Sequence, residues 1–330
     1  MLIDRRVLMG MLALSAIAPA ACAQPPLPAA WQAYRRRFVG SDGRVIDTGN
    51  KNVSHSEGQG FALLLALGAD DRAGFEALFK WTEATLRRDD TGLYAWRYDP
   101  AQTPVVADPN NATDGDILIA WALMQAAKKW RLPAYDTRSR ELREAILSEV
   151  VIERAGHRLL LPGRIGFVED DRVVFNPSYY IWPALDAFAA EDERWQPVVS
   201  DGLNLVAASR FGPWHLPSDW VEVDAQGLAS PAKDRPARFG FDVIRVPLYL
   251  AWAGRTEALA PFRRYFTETE KAGGWPAWID VVSGETAPYP LSAGGKAVAH
   301  LTLGRPLPDA GADADYYSYS LSLLAAEARP

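Results

Sequence analysis

Apolar residues recur at helical spacing over residues 28–38, 57–68, 73–88, 114–130, 137–152, 178–190, 194–210, 241–253, 255–270, 294–302 and 315–327. The pattern predicts eleven helices. Most are paired through short links such as "GADDRAG" (68–74) and "AGRTEALAP" (253–261), and longer Pro- and Gly-rich loops separate the pairs. Antiparallel hairpins with their long connections on one side predict a ring of helices, although a helical solenoid fits the periodicity as well. One segment breaks the helical period. Residues 158–175, "RLLLPGRIGFVEDDRVVF", carry β-branched residues between turn signals and predict a short β-ribbon.

The first 23 residues have another pattern. Arg5 and Arg6 precede the apolar run from Val7 to Ile17, which ends in the small residues Ala21-Cys22-Ala23. This is the pattern of an export signal, too short to span a bilayer. The Arg pair resembles a twin-arginine signal, while Asp4 beside it fits a general secretory signal equally. Cleavage after Ala23 would remove the only cysteine. Lipidation of Cys22 is the weaker alternative, because Pro19 stands where lipoprotein signals usually carry Leu. The expectation is a periplasmic or secreted protein, and since no composition break follows, residues 24–330 read as one domain.

Composition narrows the chemistry. Of 330 residues, 48% are hydrophobic and 23% charged, enough apolar material for a large core. The net charge of −6, with no basic run among the aromatics, excludes a nucleic-acid backbone as partner. The histidines at 55, 157, 215 and 300 have no metal-ligand spacing, and a thiolate site is absent once Cys22 is removed. No metal or cofactor is expected. Ser54-His55-Ser56 lacks a nucleophile elbow, and "AGGKA" around Lys296 lacks the upstream glycine of a phosphate loop. Asp309, Asp313 and Asp315 lack an EF-hand's Gly and Glu and read as loop and helix cap.

Carboxylates remain, at three predicted helix starts. In "SHSEGQGFALLLALG" (54–68), Ser54 and Glu57 have capping-box spacing. The glycines Gly58 and Gly60 weaken that first turn and suggest that something bulky, such as a sugar, approaches the backbone. In "NNATDGDILIAWALMQAAKKW" (110–130), Asp114 and Asp116 open a helix for which Thr113 or Asp114 could be the N-cap. In "RFGFDVIRVPLYLAW" (238–252), Asp242 precedes Arg245 at ion-pair spacing. Taken singly, Glu57 and Asp114 fit capping as well as catalysis, and Asp242 fits an ion pair with Arg245 as well as catalysis. If the helices form a ring, their N-terminal ends converge, and two acids flanking a sugar bond are what glycoside hydrolysis requires. Tryptophans in loops, Trp96, Trp214, Trp220, Trp275 and Trp278, either pack beneath those loops or offer flat faces to sugar rings.

The stretch from Ala112 to Trp130 resembles the signature of glycoside hydrolase family 8, which runs A-[ST]-D-[AG]-D, two free positions, then [IM]-A and a helix ending in Phe or Trp. "DTGNKNVSHSEGQGF" from Asp47, "NPSYY" at 176, "PSDW" at 217, "FDVIRVPLY" at 241 and "YYSYSL" at 316 resemble further blocks of that family in order. The likeness covers about residues 30 to 327 and is nearest to the periplasmic endoglucanases that accompany bacterial cellulose synthesis. It implies an all-α (α/α)6 barrel and inverting, endo-acting hydrolysis of β-1,4-glucan. By position, Glu57 resembles the general acid, Asp242 the general base, and Asp114 the residue that holds the sugar and steadies the water. Arg245 would orient Asp242, and Trp96, Tyr179 and Trp220 would line the cleft.

One position departs from the resemblance. The family often has Tyr before the base, where this chain has Phe241. The implied partner is a β-1,4-glucan chain, with a cellulose synthase export complex beside it and the protein itself a monomer. Two alternatives stay open: a licheninase, chitosanase or xylanase of the same family, and a non-hydrolytic glucan-binding component of an export complex.

Overall fold

A computed structural model describes residues 27–311 and 314–329. The export segment, Cys22 and Asp313 lie outside the described residues. Among those described, the helices are α1 (Leu27–Phe38), α2 (Ser56–Gly68), α3 (Arg72–Leu86), α4 (Thr113–Trp130), α5 (Pro133–Glu149), α6 (Trp182–Ala189), α7 (Trp195–Ala208), α8 (Arg245–Trp252), α9 (Ala260–Lys271), α10 (Ala293–Thr302) and α11 (Tyr316–Glu327). Six of them close a ring: α2 packs on α4, α4 on α6, α6 on α8, α8 on α10, α10 on α11, and α11 returns to α2. The remaining helices form an outer layer, with α1 on α11 and α2, α3 on α2, α5 on α4, α7 on α6 and α9 on α10. This is an (α/α)6 barrel.

Apolar pattern decides which layer a helix joins. A helix hydrophobic all round must be covered on every side, whereas an amphipathic one buries a single stripe. In α2 every residue from Gly58 to Leu67 is buried, and in α11 every residue from Ser318 to Ala325. The buried serines of α11 satisfy their hydroxyls within the helix, Ser320 Oγ donating to the carbonyl of Tyr316 at 2.8 Å and Ser322 Oγ to that of Ser318 at 3.2 Å. Outer helix α9 buries only Phe262, Tyr265 and Phe266. One main apolar core runs from Ala30 to Ala328.

Small residues set how closely the ring helices approach. A side-chain carbon at Gly60 would lie 2.5 Å from Cβ of Leu118 on α4, and one at Gly58 would collide with the hydroxyl of Tyr316 on α11. The glycine pair therefore makes room for neighbouring helices. The expectation that it makes room for sugar is corrected.

The strands are short. β1 (Ser54–His55) pairs with β2 (Arg97–Tyr98) antiparallel. The segment expected as a short ribbon forms one in part, Val168 pairing antiparallel with Val173, and its two ends join other strands. β3 (Val151–Arg154) pairs with β4 (His157–Leu160), while β5 (Arg172–Phe175) joins β6 (Val221–Asp224) and β7 (Ala229–Pro231) in a three-stranded sheet. Ala155 and Gly156, at φ 50° and 78°, form the two-residue turn between β3 and β4, a left-handed pair that matches strand twist. Residues 151 and 152, expected at a helix end, are thereby drawn into a strand, and α5 begins at Pro133, ahead of the predicted start. A last pair joins β8 (Arg238–Phe239) to β9 (Ile279–Asp280).

Candidate active site

The starts of α2 and α4 are not capped by their acids. Ser54 lies in β1, its hydroxyl donating to the carbonyl of Val45 and accepting from Nε of Arg44, so the predicted capping box is not formed. His55 precedes α2 and Ala112 precedes α4, neither with a side-chain cap. Asp114 Oδ1 accepts only from the adjacent Gly115 N–H, at 2.8 Å. Gly115 packs so closely on Ser56 that a side-chain carbon there would overlap its hydroxyl and come within 2.7 Å of the Glu57 amide nitrogen. The two helix starts are thus pressed together, and Glu57 and Asp114 meet.

What the acids face is Arg245, the first residue of α8. Its Nη1 pairs with Glu57 Oε1 at 2.9 Å, while Nη2 lies 3.4 Å from both Asp114 Oδ2 and Asp242 Oδ1. The guanidinium also donates to Ser178 Oγ at 3.0 Å and to Tyr317 OH at 2.8 Å. The expected Arg245–Asp242 pair is present, and Glu57 is the nearer partner. Arg245 and Asp114 are buried, with side chains 3% and 4% exposed, whereas Glu57 and Asp242 reach solvent at 18% and 32%. The acids that resemble the proton donor and acceptor are the accessible ones. The positive ends of α2, α4 and α8 add to the field that holds these anions together.

Burial lifts Asp114 well above the usual carboxylate range, the charge of Glu57 lifts it further, and Arg245 opposes. Tyr179, also lifted by burial and by the charges of Asp114 and Asp242, keeps its phenolic proton beside them.

Asp242 stands on a turn pinned from three sides. Its Oδ2 accepts from Asn176 Nδ2 at 3.2 Å, and Asn176 is itself fixed by Ser178, whose N–H and hydroxyl donate to Oδ1 at 3.0 and 2.7 Å. Tyr317 OH donates to the carbonyl of Phe241 at 2.6 Å. Asp219 Oδ1 accepts from the backbone N–H groups of Asp242 and Val243 at 3.0 and 2.9 Å. The ring of Phe241 points outward and is 58% exposed.

Trp96 sits beside the start of α2, its carbonyl accepting from Ser56 N–H at 3.0 Å and its ring stacked on His55 with centroids 5.9 Å apart. Asp116, which burial lifts to about 7, anchors this loop by accepting from Tyr94 N–H at 2.9 Å and Asn111 Nδ2 at 2.8 Å. Trp220 meets Tyr179 edge-on at 6.4 Å, lies parallel to Phe167 at 6.0 Å, and carries the guanidinium of Arg235 at 4.0 Å. Other loop tryptophans serve packing. Trp275 is buried and donates to the carbonyl of Phe266 at 2.7 Å, and Trp214 packs edge-on against Tyr265. Among the described residues, no group of three or more His, Cys, Asp or Glu could hold a metal ion.

Residues 1–329 match the sequence profile of Glycosyl hydrolases family 8. The chain belongs to this family. An endoglucanase of Cellulomonas uda is 46% identical over 281 residues, which span 84% of this chain and 78% of that protein. A probable endoglucanase of Novacetimonas hansenii is 40% identical over 307 residues, 91% and 90% of the two chains. Among solved structures, the family 8 endoglucanase Cel10 of Klebsiella pneumoniae superposes with a TM-score of 0.88 at 44% identity, covering 91% of this chain and 98% of that one.

The barrel brings Glu57, Asp114, Asp242, Arg245 and Tyr179 into one cluster, with Trp96 and Trp220 at its edges. Asn176, Ser178, Asp219 and Tyr317 belong to the same network but were not singled out from sequence. Their signal was present, since each lies in one of the family-like blocks at 176, 217 and 316.

Proposed function

We propose that this member of family 8 is an endo-acting, inverting β-1,4-glucanase. Glu57 protonates the glycosidic oxygen as the bond to the anomeric carbon breaks. Asp242 takes a proton from a water that attacks that carbon from the opposite face, and Asp114 holds the sugar and the water. The observation that carries this reading is the placement of Glu57 and Asp242 on different nitrogens of one buried guanidinium. An inverting pair stands roughly 6.5 to 9.5 Å apart to admit a water, and a retaining pair near 5 Å. Membership of Glycosyl hydrolases family 8 supports the wider, inverting arrangement for this pair. Glu57, the solvent-reaching member of the pair at the two helix starts, is placed to act as the acid, and Trp96, Tyr179 and Trp220 line the cleft in which glucan rings lie.

The export-type N-terminal segment supports a periplasmic or secreted site of action, and the resemblance to endoglucanases that accompany cellulose synthesis supports work beside a cellulose export complex, as a monomer. Proton NMR of the first product from cellohexaose tests the chemistry: α-anomer should accumulate before mutarotation. Early β-anomer would overturn the inverting mechanism. Run in parallel on carboxymethyl cellulose, lichenan, chitosan and xylan, the same enzyme should favour the first, and a preference for another polymer would assign the substrate there. No hydrolysis of any of them would favour the glucan-binding alternative.

A further inference from the structure

Asp219 is half-buried in the loop before β6, where its carboxylate faces the turn that leads into α8. Its Oδ1 accepts the N–H groups of two consecutive residues, Asp242 at 3.0 Å and Val243 at 2.9 Å, and its own N–H donates to the carbonyl of Arg238 at 2.6 Å. A side-chain carbon at Gly240 would lie 2.7 Å from Oδ2 of Asp219 and 3.4 Å from Cβ of Trp278, so the 240 position is left bare where the carboxylate passes. The charged groups facing Asp219 are Asp242 and Arg245. We propose that Asp219 is a positioning residue for the hydrolytic water: it clamps the backbone on which Asp242 stands and thereby fixes the Asp242 carboxylate between Asn176 and Arg245.

The proposal rests on Asp242 being the base. Two N–H donors on one oxygen fix both position and tilt of the peptide after Gly240, and a general base displaced by about 1 Å loses on the order of 10² in rate. Burial, and then the like charge of Asp242, lift Asp219 to about 7. A carboxyl raised in the folded state favours folding at acid pH and opposes it increasingly as pH climbs from about 4 toward 7. The fold therefore resists ionisation of Asp219.

The test compares Asp219→Ala, Asp219→Asn, Gly240→Ala and Asp242→Asn on cellohexaose, with thermal unfolding recorded at pH 5 and pH 8. Asp219→Ala should lower kcat on the order of 10²-fold with KM within about twofold, because subsites that bind glucan are untouched. Asp219→Asn keeps an acceptor oxygen and should recover most of that loss. Its Tm relative to wild type should be higher at pH 8 than at pH 5. Gly240→Ala, which leaves Asp219 in place but crowds it, should lower kcat in the same direction. Wild-type kcat in a folded Asp219→Ala overturns the proposal if Asp242→Asn is impaired on the order of 10²-fold or more. If Asp242→Asn is also unimpaired, it is the assignment of the base that fails. A lowered Tm with unchanged kcat would mark Asp219 as structural only.

Discussion

Acids stand at helix starts in two settings in this molecule, and their side chains do different work. Asp71 and Asp315 precede α3 and α11 and cap them, Asp71 accepting from Gly74 N–H at 2.9 Å and Asp315 from Ser318 N–H at 2.7 Å. Glu57 and Asp114 lie one residue inside the first turns of α2 and α4 and cap nothing. They turn to a cation brought from another helix 131 or more residues away in sequence. The titration of one member from each setting diverges accordingly. Burial works upward on Asp71, but hydrogen bonds from Trp31 and the Gly74 N–H, with Arg35 beyond, hold it below the usual carboxylate range. Burial wins at Asp114, where the larger charge effect, that of Glu57, is of the same sign and Arg245 opposes it. A helix start can be an anchor or a reagent, and the difference is made by tertiary partners rather than by the local motif.

The sharpest way to break this contrast is to remove the shared cation. Arg245→Met leaves Glu57, Asp114 and Asp242 without a counter-charge in a buried setting and should cost about 3–5 kcal/mol in chemical denaturation, together with nearly all hydrolysis. A stable, active Arg245→Met would show that the acids do not depend on it. Next in size is Gly60→Ala. The added carbon meets Leu118 at 2.5 Å, so overpacking should cost about 1–3 kcal/mol, read from the urea midpoint. Unchanged stability with weakened glucan binding would instead return Gly60 to the substrate. Smallest is Asp71→Ala, which should lose about 1 kcal/mol of stability while kcat stays at the wild-type value, the signature of an acid that only caps.

The same contrast explains what could be read from sequence. The ring was legible because the helices come in antiparallel pairs with long connections on one side, and the helix count followed from periodicity. Glu57, Asp114 and Asp242 were legible as acids at helix starts, although capping, or for Asp242 an ion pair, accounted for each of them equally well until the start of α4 was seen pressed on that of α2. Gly58 and Gly60 were misread because a glycine in a first turn looks the same whether a sugar or a neighbouring helix fills the space. The β-ribbon was legible only in part: Val168 pairs with Val173 inside the segment, while β5 also finds a partner about fifty residues on, at β6, and the Ala155-Gly156 turn joins β4 to β3. Asp219 and Asn176 lay in family-like blocks but were not singled out, because their partner is distant in sequence. Asp219 holds the backbone of Asp242, 23 residues away, and Asn176 its carboxylate, 66 residues away, which no local spacing records.

The central claim is that Glu57 is a proton donor and not a cap, and leaving-group dependence in Glu57→Gln tests it most directly. Hydrolysis by this variant is measured on cellohexaose and on an aryl cellotrioside whose activated phenol departs without a proton. The account predicts a fall of roughly 10²-fold or more on cellohexaose, near wild-type turnover on the aryl substrate, and little change in Tm. Near wild-type turnover on cellohexaose, accompanied by a loss of about 1 kcal/mol in stability, would contradict it and leave Glu57 as a helix cap.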